Sequence, residues 1–285
     1  MELNRGAAIV TGAAGGIGAA MVARLRGLGM AVVAADIDGG RLDSMRESVV
    51  AGTAGAGGGA GADAGAPAPE VVTVVGDVAD PEHHQRLVAA AGELGGLRLS
   101  VLNAGTNVTG WSWELPLDRW RKVIDTNYWG VAHGLRVALS EMVPAGEGWV
   151  VAVASGAGLV APPGMVPYVS SKHAVVGMLE SVHHELARIG SSVGVSVACP
   201  GNIATGLSER SGMVGDPQDA ALSSLYATIR SGVAEGASPD TVVDAVVTGV
   251  QEGRFWLLPQ PELGWVAQDR TRRLAEGDGP VDLLG

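Results

Sequence analysis

Cysteine, lysine and phenylalanine are nearly missing from this chain. Its 285 residues include one cysteine, one phenylalanine, three tyrosines and two lysines. A lone cysteine, Cys199, excludes an internal disulfide and cannot build a thiolate metal site. The six histidines do not replace it. His83-His84 and His183-His184 are adjacent pairs, and neighbours on a helix diverge by about 100°, so no metal site is expected. Basic charge is also short: 19 Lys and Arg stand against 30 Asp and Glu, a formal charge of −11. That balance disfavours polyanions, so no nucleic acid and no anionic membrane is expected as a partner. No apolar run reaches membrane-spanning length, because the most apolar region, 149–169, is broken by Gly, Ser and Pro. The opening MELNRGAAIVTG lacks a signal-peptide pattern. Together these features lead to the expectation of a cytoplasmic protein in a reducing compartment.

What is abundant is glycine, with 44 residues, and hydrophobic residues, at 47%. The chain is long enough for one large α/β domain with a sizeable core. Short apolar runs recur: AAIV (7–10), MAVVAAD (30–36), VVTVV (71–75), LSVLN (99–103), WVVAVAS (149–155), VGVSVAC (193–199) and RFWLL (254–258). They are continuously apolar rather than alternating, as strands must be when helices cover both sheet faces. Segments of helical spacing separate them. The pattern predicts a single-domain α/β fold over 1–275, a doubly wound parallel sheet of about seven strands with helices on both faces, Rossmann-like. The Gly/Ala tract 51–69 reads as a flexible surface insertion, and 276–285 as a loose tail.

IVTGAAGGIGAAMVARL (9–25) reads as strand, glycine turn and helix. Gly12 would permit the tight turn, Gly16 the close approach of a diphosphate, and Gly18 the packing of helix on strand. Free amides at the helix start would hold a dianion without a basic side chain. The spacing alone fits a structural turn as well; its place after the first strand favours a phosphate site. Asp36 ends the second strand about 20 residues on, where a carboxylate accepts both ribose hydroxyls and repels a 2′-phosphate. Ala14 and Ile37 beside it are not basic, and Arg41 is expected to point out along its helix. NAD(H) is therefore expected in preference to NADP(H).

Tyr168 and Lys172 lie four apart at the start of a helical segment, on one face. A phenol ionises near pH 10, and a neighbouring ammonium would lower that value and let it exchange a proton near neutrality. The alternative is a surface pair in weak contact. Ser155, 13 residues earlier at a strand end, could align a reacting oxygen with the phenol; a structural role is the bland reading.

These motifs, in order, are TGAAGGIG (11–18), GDV (76–78), LNAG (102–105), TNYWG (126–130), Ser155, YVSSK (168–172) and PGNIAT (200–205). The chain resembles the short-chain dehydrogenase/reductase family over about 7–261. The resemblance implies that Tyr168 is the general acid/base, that Lys172 lowers its pKa and holds the nicotinamide ribose, and that Ser155 orients the substrate oxygen. Asn127 would be the fourth catalytic member, positioning a water that links the lysine to solvent. Ala14, Gly15, Ile17 and Ile37 join the glycines and Asp36 in the implied cofactor cradle. Asp77 and Val78 would meet the adenine, while Asn103, Ala104 and Gly105 would line the cleft. Pro200 and Gly201 would precede a turn whose Ile203 amide meets the carboxamide, with Thr205 beside it.

In this family specificity resides in the segments corresponding to 106–116 and 206–236, the latter expected to form a mobile lid. Trp111, Trp113, Met165, Leu207 and Met213, with Ser155 and Tyr168, are expected to form an apolar pocket for a bulky or cyclic secondary alcohol or ketone. The expected activity is hydride transfer between NAD(H) and that small molecule. The rival readings are a non-catalytic NAD(H)-sensing binding protein and an NADPH-dependent ketoreductase of the same fold. The resemblance also implies a homo-oligomer, dimer or tetramer, through helices around 116–143 and 166–189. The NVT sequon at 107–109 is incidental in a cytoplasmic protein.

Overall fold

The structure, a computed structural model, describes residues 1–55, 68–206 and 212–281. In chain order the strands are β1 (Ala7–Thr11), β2 (Ala31–Asp36), β3 (Val71–Val75), β4 (Leu97–Leu102), β5 (Trp149–Val153), β6 (Gly194–Ala198) and β7 (Trp256–Leu257). They form one sheet in the order β3-β2-β1-β4-β5-β6-β7, and every pairing is parallel. The seven strands correspond to the seven apolar runs of the sequence.

Alternate residues of each strand enter different cores, which is why the runs had to be apolar throughout. Ala8 and Val10 of β1, with Val151 and Val153 of β5, join a cluster that includes Met21, Val22 and Leu25 of α1 (Gly16–Gly27). Leu42 and Met45 of α2 (Gly39–Gly55) and Val242, Val246 and Val250 of α8 (Pro239–Glu252) pack into the same cluster. On the opposite face, Ala7 and Ile9 meet Leu87 and Ala91 of α3 (Pro81–Glu93). Val150 and Ala152 meet Leu135 and Met142 of α5 (Gly130–Ala145) and Val175 and Leu179 of α6 (Val166–Arg188). Leu25, Met142 and Leu179 are among the largest fully buried side chains, each worth about 1.5–3 kcal/mol of apolar transfer.

Local chemistry fixes the helix ends. Asp80 caps α3 by accepting from the Glu82 amide at 2.9 Å, with Pro81 in the first turn. Ser238 and Pro239 start α8, which ends on Gly253 at φ 72°, a left-handed conformation that glycine adopts without steric cost. The helix α2 continues through Gly55, so the first five residues of the Gly/Ala tract are helical rather than loop. Adding a residue to an existing helix closes a hydrogen bond at each step, which even a poor helix former tolerates. The rest of that tract, 56–67, lies outside the described residues. Near the C-terminus, α9 (Glu262–Glu276) ends at Gly277. Among the described residues, no helix is long and apolar enough to cross a membrane.

Strand order reverses at β1: β2 and β3 lie on one side, β4 to β7 on the other. The crevice outside the carboxyl ends of β1 and β4 is where such sheets place ligands.

Candidate active site

A single cavity of about 1000 Å³ follows that crevice from the glycine turn to the start of α6. Its wall includes Gly12, Gly15, Gly16 and Ile17 of the turn and Asp36 and Ile37 of the second strand end. Gly12 has φ +65°, and a Cβ there would stand 2.8 Å from the Ala104 Cα. A Cβ on Gly16 would meet the Thr205 methyl at 2.8 Å, and one on Gly18 would lie 2.1 Å from the Gly12 carbonyl oxygen. Gly18 therefore lets α1 lie directly against the turn backbone that follows β1. The first turn of α1 has no side-chain cap, so its orphan amides are left for an anion. A cradle that any Cβ would fill, ending on uncapped amides, fits a dinucleotide diphosphate.

The Asp36 carboxylate accepts from the Ala14 amide at 3.0 Å through Oδ2 and from the Asp38 amide at 3.1 Å through Oδ1. Arg41 does not point away along its helix as the sequence suggested. Its Nη2 donates to the Ala14 carbonyl at 3.0 Å, and the residue lines the cavity. The orphan carbonyl of the turn draws the guanidinium back over the loop.

On the adenine side, Asp77 and Val78 lie on the wall. His84 donates from Nε2 to the Val78 carbonyl at 2.9 Å, which fixes its tautomer. Burial pushes its pKa down, so the ring is a neutral prop beneath this wall. Across the crevice, Asn103 Nδ2 donates to the Thr11 and Gly12 carbonyls at 2.9 and 3.2 Å. The Thr11 hydroxyl accepts from the amides of Asn103 and Ala104. These bonds tie β1 to β4 where the strands part. Ala104, Gly105, Pro200, Gly201, Ile203 and Thr205 complete this part of the wall.

Ser155, Tyr168 and Lys172 share the other end of the cavity. Ser155 follows β5 in extended conformation and accepts from the Ala157 amide at 3.1 Å. The Ser155 hydroxyl favours ionisation of the Tyr168 phenol, but burial outweighs this and raises the phenol pKa. Lys172 is 3% exposed. Its Nζ donates to the Val153 carbonyl at 2.8 Å and lies 5.6 Å from the Tyr168 ring centre. Burial pulls its pKa down to about 8. Burial is the largest influence on both groups, raising the phenol pKa and lowering that of the ammonium.

Asn127 is fully buried within a π-helical turn, Asp125–Trp129, between α4 (Leu117–Ile124) and α5. Its Oδ1 accepts from the Thr106 amide at 2.8 Å, and its Nδ2 donates to the Thr106 carbonyl at 2.9 Å and the Ser171 hydroxyl at 3.0 Å. Ser171 in turn donates to the Tyr168 carbonyl at 2.7 Å. A π-turn inserts one residue and re-aims a side chain, a device common at functional sites. Here it clamps the loop after β4 to the helix that carries Tyr168.

The substrate end departs most from the sequence reading. Of the residues assigned there, Met165 lines the cavity beside Ser155 and Tyr168. Trp111, Trp113 and Met213 do not. Trp111 and Trp113 stack outside it, ring centres 5.5 Å apart, and Trp113 is 77% exposed. The Trp111 indole donates to Asp219 at 2.7 Å. Met213 pairs with Thr109 in a β-bridge, and the Val214 amide donates to the Thr109 carbonyl at 2.9 Å. Trp111 and Trp113 thus lie off the cavity wall, while Val108 and Leu115 of the same loop are buried in a small core of their own. Leu207 lies outside the described residues. The apolar lining comes instead from Pro162, from Ile229 and Val233 of α7 (Ala220–Ala234), and from Leu263 of α9.

Leu263 and Gln260 had no sequence signal, lying at and beyond the end of the recognised motifs. Gln260 Oε1 accepts from the Gly201 amide at 3.0 Å, and Leu263 packs where a Cβ on Gly156 would stand, 3.1 Å away. Cys199 is fully buried beneath this floor. His83 and His84 are buried, and no cluster of three or more metal-ligating side chains occurs among the described residues.

A family model for short chain dehydrogenases matches residues 6–213. The chain belongs to that family of oxidoreductases, whose members bind NAD or NADP. It is 33% identical over 283 residues to 1-deoxy-11-beta-hydroxypentalenate dehydrogenase of Streptomyces avermitilis, covering 96% of this chain and 93% of that protein. A CLA biosynthesis dehydrogenase/reductase of Lactiplantibacillus plantarum is 29% identical, covering 96% and 94%. Among solved structures, a short chain dehydrogenase/reductase of Burkholderia phymatum in complex with NAD superposes with a TM-score of 0.88 at 31% identity, covering 100% of this chain and 99% of that one.

Proposed function

We propose that the chain is an NAD(H)-dependent oxidoreductase that interconverts a secondary alcohol and a ketone of apolar, bulky or cyclic skeleton. The carrying observation is that Ser155, Tyr168 and Lys172 converge on one cavity that starts at the uncapped glycine turn. The nicotinamide supplies or accepts the hydride when bound. The turn amides would hold its diphosphate, Asp36 would take the adenosine ribose, and Lys172 would supply a cation to the nicotinamide ribose. The Ser155 hydroxyl holds the reacting oxygen, and the Tyr168 hydroxyl passes the proton to or from it. The phenol is protonated at neutrality, the form that donates to a ketone oxygen, and its burial makes the reverse, proton-accepting role the more demanding one. Asn127 acts on geometry, by fixing Thr106 and, through Ser171, the first turn of α6.

The B. phymatum structure holding NAD supports the cofactor choice, the S. avermitilis relative, named a 1-deoxy-11-beta-hydroxypentalenate dehydrogenase, supports a hydroxylated substrate, and the cavity of about 1000 Å³ supports a bulky one. Arg41 favours a second reading. A guanidinium over the turn could meet a 2′-phosphate, which would make NADPH the partner. Following NADH and NADPH absorbance against a panel of cyclic alcohols and ketones tests both. Turnover confined to NADPH overturns the first reading, and no turnover with either cofactor favours a cofactor-sensing protein. We further propose a homodimer or homotetramer through the helices of 116–143 and 166–189, where Trp129 is 47% exposed and stacks on His133. Light scattering that gives a monomer would refute it.

A further inference from the structure

We propose that Asn107 determines specificity by donating a hydrogen bond from Nδ2 to a second oxygen of the substrate. The compound taken is then an alcohol or ketone with a further carbonyl-type acceptor, not a simple one. This rests on the alcohol–ketone reading above and deepens it.

Asn107 lines the cavity and is 9% exposed. Its Oδ1 is used, accepting from the Val108 amide at 2.7 Å. Among the described residues its Nδ2 finds only the Met165 sulfur, at 3.1 Å. A thioether is a weak acceptor, and an amide nitrogen has two hydrogens to place. A buried donor without a good partner costs about 1–3 kcal/mol, a cost that a ligand oxygen relieves and an apolar ligand does not.

The position is close to the chemistry. Met165, which the amide touches, lies three residues before Tyr168 and lines the same cavity. Asn107 follows Gly105 by two residues, and a Cβ on Gly105 would be 3.7 Å from the Lys172 Nζ. Pro162, Met165, Ile229, Val233 and Leu263 give this chamber apolar walls, with Asn202 and Thr205 also on its lining. An acceptor oxygen held against those apolar walls within reach of the Asn107 amide pairs with it or leaves two polar groups unpaired. Sites built around a buried donor reject analogues that lack the matching oxygen more strongly than apolar walls reject an extra methylene. The same burial closes the NVT sequon to modification.

The test uses three alcohols of one skeleton: the ethyl ester of 2-hydroxycyclohexanecarboxylate, the free acid, and 2-butylcyclohexanol, each with NAD+ and NADP+. The expected kcat/KM for the ester exceeds that for the alkyl alcohol by about ten- to a hundredfold. The acid reports whether the acceptor is taken neutral or ionised. Asn107→Leu removes the amide. Asn107→Asp keeps an acceptor for the Val108 amide while losing the donor. Both variants should bring the ratio of kcat/KM for the ester over the alkyl alcohol close to one. Equal losses on all three substrates would show a structural role and overturn the proposal, as would a wild type that does not distinguish them. No oxidation of any alcohol by wild type would instead defeat the activity on which the proposal rests.

Discussion

The Lys172 ammonium donates to the Val153 carbonyl at 2.8 Å while standing 5.6 Å from the centre of the Tyr168 ring. The lysine that should activate the phenol is thus held by the end of β5. Its burial lowers its pKa from 10.5 to about 8. Between those values the unfolded chain binds a proton that the folded protein does not, so stability from this group rises with pH across that window. Below about pH 8 the full penalty of burying the ammonium applies. Lys172→Met removes the dependence. Urea unfolding from pH 7 to pH 10 should show wild type gaining on Lys172→Met by on the order of 3 kcal/mol. A difference that stays flat or falls over that range would show that the ammonium is not desolvated.

Tyr168 carries the opposite demand. With its pKa raised by burial, the phenol is protonated at neutral pH and has to lose that proton before it can act as a base. Ketone reduction should therefore hold its rate through neutrality, and alcohol oxidation should climb as pH rises. Tyr168→Phe should lower kcat in both directions by about a thousandfold or more while NADH fluorescence titration gives an unchanged Kd. Retention of even a tenth of the activity would remove Tyr168 from the proton path.

The sheet was legible in the sequence because burial on both faces writes each strand as an unbroken apolar run, and β1 to β7 all fall on such runs. The glycine turn was legible because backbone constraint leaves few residues permissible, as the Gly12 φ of +65° shows. Side-chain direction was not. Trp111 sits in a loop expected to shape specificity, yet its bond to Asp219, beside the bridge between Thr109 and Met213, holds it off the cavity wall. Arg41, expected to point out along its helix, is captured instead by an orphan carbonyl in the turn. Leu263 was unforeseeable, since its contact with Gly156 depends on how the C-terminal segment returns across the sheet.

Asp36 and Arg41 give opposing votes on the cofactor. Both line the cavity, and both contact Ala14, the carboxylate through the amide and the guanidinium through the carbonyl. Asp36→Ala removes the group that repels a 2′-phosphate and leaves the cation in place. The ratio of kcat/KM for NADPH over NADH should rise by about ten- to a hundredfold, the range of one like-charge contact near a surface. Asp36→Ala/Arg41→Ala should lose most of that gain. If the double variant uses NADPH as well as the single one, Arg41 plays no part in reading the ribose.

Gly16 and Gly18 separate two uses of glycine in one turn. A Cβ on Gly16 would be 2.8 Å from the Thr205 Cγ2 and 3.2 Å from its Cβ, so the neighbour is one side chain on the cofactor side. Gly16→Ala should fold, bind NADH about tenfold or more weakly, and recover partly in Gly16→Ala/Thr205→Ser, which removes the offending methyl. A Cβ on Gly18 would meet backbone only, the Gly12 oxygen at 2.1 Å and the Ala13 Cα at 2.9 Å. Neither can withdraw without opening the turn that sets β1 against β4. Gly18→Ala should cost about 3 kcal/mol or more of stability, and no change at Thr205 should restore it. Comparing Tm with NADH affinity across these variants separates the effects. A Gly18→Ala protein of wild-type Tm would mean that the turn can shift, and the claim that Gly18 is needed for the turn rather than the ligand would fall.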